Sequence, residues 1–189
     1  AMGSFGQFVM VPMSQTLIGA FGWSGALTVL ALVVLLALPL AFVLRGRGVA
    51  SAADQSFTEA LREAGGHSGY WLLTAGYFVC GFHVSFIATH LPAYLVDRGV
   101  AAEYGAWALA LIGLFNVVGS FTAGVLGGKR RKKYLLSTIY FTRSVVIAIF
   151  FLVPLSGMTV ILFACAIGLL WLSTVPLTTG LVGQIFGIR

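Results

Sequence analysis

An all-α bundle of membrane-crossing helices is the fold class this sequence predicts, and three observations predict it. Charged residues make up 8% of the 189 and hydrophobic ones 59%, too few charges to clothe a water-soluble domain of this length. The apolar residues fall into long stretches, and a run of about 18 or more crosses a hydrocarbon core of about 30 Å as a helix. The stretches are continuous, as from Leu27 to Leu44, without the period-two alternation that a barrel strand needs for its two unlike faces. A helix satisfies its own backbone hydrogen bonds in lipid, so each stretch reads as one span.

Six spans are expected. The first covers 3–20 and the second 24–44. Phe21-Gly-Trp-Ser24 between them is a tight turn with Trp23 at the membrane interface. The longest polar segment follows, 45–69. Within it, Phe57, Ala60, Leu61 and Ala64 share one face of a short amphipathic helix. Ser56 with Glu59 three residues on makes a capping-box pattern. Such a helix lies at the membrane surface. The remaining spans cover 70–92, 104–126, 134–153 and 158–179. Pro92 is expected to end the third span, and Pro176 to kink the sixth. Short loops make neighbouring helices antiparallel. On the fourth span, Gly119-x-x-x-Ala123 and Gly124-x-x-Gly127 are small-residue spacings that let helix backbones approach.

The net charge of +6 reflects topology rather than nucleic-acid binding. Arg45, Arg47 and Arg62, then Lys129, Arg130, Arg131, Lys132 and Lys133, then Arg189 fall in three segments between or after spans. Loops rich in Lys and Arg stay in the cytoplasm. Segments 45–69, 127–133 and 180–189 are then cytoplasmic, and 20–24, 93–103 and 154–157 external. The six spans alternate without conflict. Cys80 and Cys165 lie in different spans and read as inert buried thiols. No metal-ligand cluster, nucleophile elbow or pair of carboxylates is present, which excludes most enzyme classes, and nothing in the sequence calls for a metal or cofactor.

Three local patterns carry a family resemblance. Gly124-Val-Leu126-Gly-Gly128-Lys129-Arg130-Arg131-Lys132-Lys133 resembles the inter-helix motif G-x-L-x-D-R-x-G-R-R/K of the major facilitator superfamily. Gly124, Leu126, Lys132 and Lys133 match, and Lys129 replaces an Arg. Gly128 stands where the motif has Asp, and Arg131 where it has Gly. Gly3-x-x-Gly6-Gln7 with Pro12, Gln15 and Phe21-Gly-Trp23 resembles the fifth helix and following turn of monocarboxylate-like and oxalate/formate-like carriers. Gly81-Phe-His83 through His90-Leu-Pro92-Ala-Tyr-Leu95 resembles the seventh helix of bacterial members of that group. The resemblance covers the whole chain as helices five to ten of twelve, a partial major-facilitator fold. It implies that 1–44 is the last two helices of the N-terminal half, 45–69 the central cytoplasmic loop, and 70–189 the first four helices of the C-terminal half. It also implies a bacterial inner (plasma) membrane, the lipid bilayer and the missing helices of the same carrier as partners, and a substrate site near the midplane between the halves.

Ionisable groups inside spans are costly and point to function. His83 lies mid-span, and His90 seven residues on shares its face nearer the outside. Arg143 lies about ten residues into the fifth span. It suits either an anionic substrate or backbone carbonyls of a neighbouring helix. Asn116, Thr174 and Ser173 offer uncharged hydrogen bonds, and Trp171 an aromatic wall. No Asp or Glu falls within an expected span, so a carboxylate that couples transport to protons, the coupling ion considered, belongs to the missing helices. The ionisable groups present, His83 and Arg143, favour an anionic substrate over a cationic one. The expected function is secondary active transport of a small organic anion such as a monocarboxylate, by symport or antiport. A drug or neutral-solute efflux carrier and a self-contained six-helix scaffold or channel subunit are the alternatives.

Overall fold

A computed structural model describes residues 2–35 and 57–187. Seven helices occur among them: α1 Met2–Leu35, α2 Phe57–Gly66, α3 Ser68–Asp97, α4 Ala102–Lys129, α5 Lys132–Leu152, α6 Gly157–Leu170 and α7 Thr174–Phe186. They make five apolar tracts long enough to cross a membrane, with α6 and α7 forming one tract. The first two expected spans run together as α1. That helix has 34 residues, about 50 Å at 1.5 Å per residue, against about 30 Å of hydrocarbon. It divides at Gly22, whose φ of 68° and ψ of 179° lie outside the helical region and are open essentially to glycine alone. The turn expected over 21–24 is thus compressed into one residue. Residues 36–44 of the second expected span, and the Ser56 of the capping box, lie outside the described residues.

α2 is the amphipathic helix expected in the polar segment, and its Leu61 is 56% exposed. Trp71 Nε1 on α3 donates to the Gly65 carbonyl at 2.9 Å, tying the two helices end to end. The expected stop at Pro92 is corrected: α3 continues to Asp97 with Pro92 inside it. The third and fourth tracts nearly abut, since only Arg130 and Arg131 separate α4 from α5. Ser156 starts α6 with a capping box. Its Oγ accepts from the Thr159 amide at 3.2 Å, and Thr159 Oγ1 accepts from the Ser156 amide at 2.8 Å.

α4 is the axis of the bundle and packs most extensively against α6 and α1. Lipid tails give helices no hydrophobic reason to associate, so close backbone packing must do it. Small residues supply it here. Gly105, Ala108, Gly119, Ala123 and Gly127 are buried along α4. A Cβ on Gly119 would lie 2.7 Å from both the Leu169 carbonyl carbon and Ser173 Oγ. On the other side, a Cβ on Gly113 would lie 2.7 Å from the Ser4 carbonyl of α1, and Gln7 Nε2 donates to the Leu109 carbonyl at 3.0 Å. Gly124 and Gly6 have open space around them, so those two do not serve close packing among the described residues. The core proper joins Leu91 and Leu95 of α3, Ile112 of α4, Phe150 of α5, and Phe163 and Ile167 of α6. The Phe150 and Phe163 rings stack 4.1 Å apart. Outward faces remain apolar: Leu72 is 76% exposed and Phe78 73%, which suits lipid and not water.

The helices run up and down. Gly69 at the start of α3 meets Ile185 near the end of α7, and Lys132 at the start of α5 meets Gly180. At the other end, Tyr94 and Phe151 rings sit 6.2 Å apart, and Tyr104 packs on Gly157. One end therefore gathers Lys129 to Lys133, and the other Asp97, Arg98 and Glu103.

Candidate functional site

Two polar arrangements lie within the membrane-crossing tracts. The first is a broken helix. Proline lacks an amide hydrogen and its ring crowds the carbonyl four residues back, which for Pro176 is that of Leu172. The tract accordingly breaks over Trp171–Ser173, and Pro176 falls in the first turn of α7, where it is tolerated. A break leaves carbonyls without partners, which lipid cannot supply. Each is met. Ser173 Oγ donates to the Leu169 carbonyl at 2.6 Å. Arg143 Nη2 donates to the Trp171 carbonyl at 2.7 Å and, closer still, to that of Leu170. The guanidinium is also favourably placed at the negative end of the α6 dipole. Its Nη1 donates to Cys80 Sγ of α3 at 3.3 Å, and it lies over the Tyr140 ring. Tyr140 in turn donates to the Gly76 carbonyl at 2.7 Å. On the far side of the break, Asn116 Oδ1 accepts from the Leu172 amide at 2.8 Å and from Ser120 Oγ at 3.1 Å. Asn116 Nδ2 donates to Ser4 Oγ of α1 at 2.6 Å. Thr174 is fully buried, its Oγ1 3.3 Å from Cys80 Sγ.

Arg143 thus binds backbone, the second of the two roles open to it in the sequence. Trp171 is 3% exposed and packs in the core, bordering none of the cavities described below. Cys80, read as inert, joins the guanidinium to α3. No sequence signal marks it.

The second arrangement is a cavity of about 590 Å³ between α3, α5 and α6. His83 and His90 both line it, as their seven-residue spacing requires, and so does Asp97, seven residues further on. These three groups stack on one face of α3 at intervals of about 10 Å. Asp97 is a functional candidate that the sequence does not single out, because Pro92 reads as the end of the span. Its signal was the heptad itself. His83 is half-buried, and its Nδ1 is buried without a hydrogen-bond partner. The His90 ring lies 4.7 Å from that of Phe86. Phe82, Phe150, Phe151 and Phe163 complete an aromatic wall. Smaller spaces lie elsewhere in the bundle. One of about 420 Å³ lies between Gln15 of α1 and Pro92, Asp97 and Ala106. Another of about 350 Å³ adjoins Asn116, Ser120 and Pro176. Lys129, Arg130, Arg131, Lys132 and Lys133 line a separate cleft at the opposite end from Asp97.

Discontinuous membrane-crossing helices recur at the substrate sites of secondary transporters. Comparison with known proteins bears on this directly. The family profile described as Major Facilitator Superfamily matches residues 1–188. The chain belongs to that superfamily. Its members are transporters rather than enzymes. Among curated proteins it is similar to an uncharacterized MFS-type transporter, YcxA, of Bacillus subtilis (strain 168). The two are 28% identical, over 89% of this chain and 46% of that protein. The chain thus spans about half the length of the curated relative it matches. No solved structure matched. The major-facilitator assignment accounts for the apolar helices and makes this an integral membrane protein.

Proposed function

We propose that this chain is part of a secondary carrier that moves a small organic anion, such as a monocarboxylate, by alternating access. Residues 1–44 end its first half, 45–69 link the halves across the cytoplasm, and 70–189 begin the second half. The observation that carries the substrate class is His83. Its Nδ1 is buried and unpartnered in the wall of a cavity with room for a small solute. An unmet polar atom in such a place is costly unless a ligand reaches it. A protonated imidazole donates a charge-assisted bond to a carboxylate, worth about 1.5–3 kcal/mol. In the full-length carrier, His83→Ala is expected to weaken apparent affinity ~10- to 150-fold with near-normal expression. His90→Ala, nearer the outer end, does less. Uptake into proteoliposomes tests this, and unchanged affinity and rate in His83→Ala would remove His83 from the binding site. The aromatic wall and the Asp97 carboxylate favour one rival, a carrier of apolar or cationic compounds.

The basic end is assigned to the cytoplasm of a bacterial inner membrane, with protons as the coupling ion. A cysteine replacing Ser51 or Arg131 should be shielded from an impermeant thiol reagent in intact cells, and one replacing Ala101 should label. Labelling of all three from outside reverses the orientation.

A further inference from the structure

We propose that the basic end of the bundle carries a binding site for the phosphate headgroup of an anionic phospholipid. The site is a cleft of about 520 Å³ where the ends of α4, α5 and α7 meet. The five consecutive cations Lys129 to Lys133 line it, with Gln184 and Leu181 opposite. Among the described residues, no carboxylate borders it. Asp97 and Glu103 stand at the other end of the helices, and Glu59 and Glu63 are on α2, which packs on α3. Five like charges around one space repel one another unless an anion enters it.

One of these cations is built into the fold. Lys132 is half-buried, and its stem is wedged against α7. A Cβ on Gly180 would lie 2.7 Å from Lys132 Cε and 3.1 Å from its Cδ. Glycine at 180 therefore lets the ammonium lie in the cleft. α5 also begins here, and no side chain caps it at Arg131. Its first amides have no intrahelical partner, so the positive end of a 21-residue helix adds to the attraction. Since α4, α5 and α7 belong to membrane-crossing tracts, their ends lie at headgroup depth. Basic pockets between transmembrane helices on the cytoplasmic side accept anionic headgroups at that depth. The placement rests on the orientation proposed above and is independent of what the carrier transports.

Native mass spectrometry of the full-length carrier, delipidated and titrated with phosphatidylglycerol or phosphatidylcholine, tests the proposal. Phosphatidylglycerol is expected to bind at least about tenfold more tightly. Arg130→Gln/Arg131→Gln, both exposed side chains, lowers that affinity ~30-fold, at about fivefold per cation. Gly180→Val changes no charge and displaces only Lys132, so it should cost about fivefold. It thereby separates a shaped site from attraction by a basic loop. Equal affinity for the two lipids overturns the proposal, as does full phosphatidylglycerol affinity in Gly180→Val. Inorganic phosphate that binds the lipid-free carrier and fully displaces the lipid makes the ligand a soluble phosphate, and the lipid assignment falls.

Discussion

Arg143→Met is expected to destabilise the full-length carrier by about 2–4 kcal/mol, the largest loss from any single polar side chain in the described spans. The guanidinium serves the carbonyls of Leu170 and Trp171 in a place that is 2% exposed. Methionine matches its volume and supplies no donor. Pro176 keeps the helix broken in the variant, so both carbonyls remain and go unmet, at about 1–3 kcal/mol each. Relief from burying the cation offsets part of that cost. Arg143→Lys restores the charge without the fork that reaches two carbonyls at once, so it should recover only part of the loss. Thermal unfolding in detergent checks the ranking. A cycle with Pro176→Ala tests the reason. With the proline removed the helix can close its own bonds, so Arg143→Met should cost at least about 1 kcal/mol less in that background. Additive losses would mean that Arg143 stabilises something other than the break.

Gly119→Leu should be still less tolerated. A Cβ there meets the backbone of Leu169 and Ser173 Oγ at 2.7 Å, and backbone cannot swing aside as a side-chain tip can. α4 must then part from α6 at the most extensive crossing of the bundle. Overpacking of this kind costs about 1–3 kcal/mol or more even for small additions, and leucine adds four carbons. The full-length variant is expected to fail to accumulate as a monodisperse protein. Gly124→Leu, where nothing lies within 4 Å, should accumulate normally. Equal behaviour of the two on size-exclusion chromatography would show that the α4–α6 contact is not close.

The helical class and the position of nearly every tract are legible in the sequence, because span length and apolar content follow from bilayer thickness. Where the reading stops short, the cause is specific. Pro92 reads as a helix end by the rule for water, but in lipid a proline within a helix is tolerated when neighbouring groups re-satisfy the backbone. That error hid Asp97, the third member of a heptad whose first two members, His83 and His90, were plain. The broken sixth span is half legible: Pro176 marks it, and Leu172 four residues before is where it opens. What fills the break is not legible. Arg143 bonds to carbonyls 27 and 28 residues away, and carbonyls carry no residue-specific signal. Cys80 and Asn116 likewise acquire their partners only when α3 and α4 are brought against the break. Glycine spacing identified Gly119 and Gly127 as contact points, yet Gly124 in the same pattern faces open space. Spacing sets a helix face and does not say which neighbour, if any, covers it.

The substrate class is tested most directly by counterflow into proteoliposomes of the full-length carrier, using pairs of compounds that share an outline and differ in charge. The account predicts that a small monocarboxylate exchanges across the membrane, that its uncharged amide does not, and that His83→Ala removes the difference. Exchange of the amide or of a cationic amine, with the carboxylate excluded, would contradict it and assign the cavity to the rival reading.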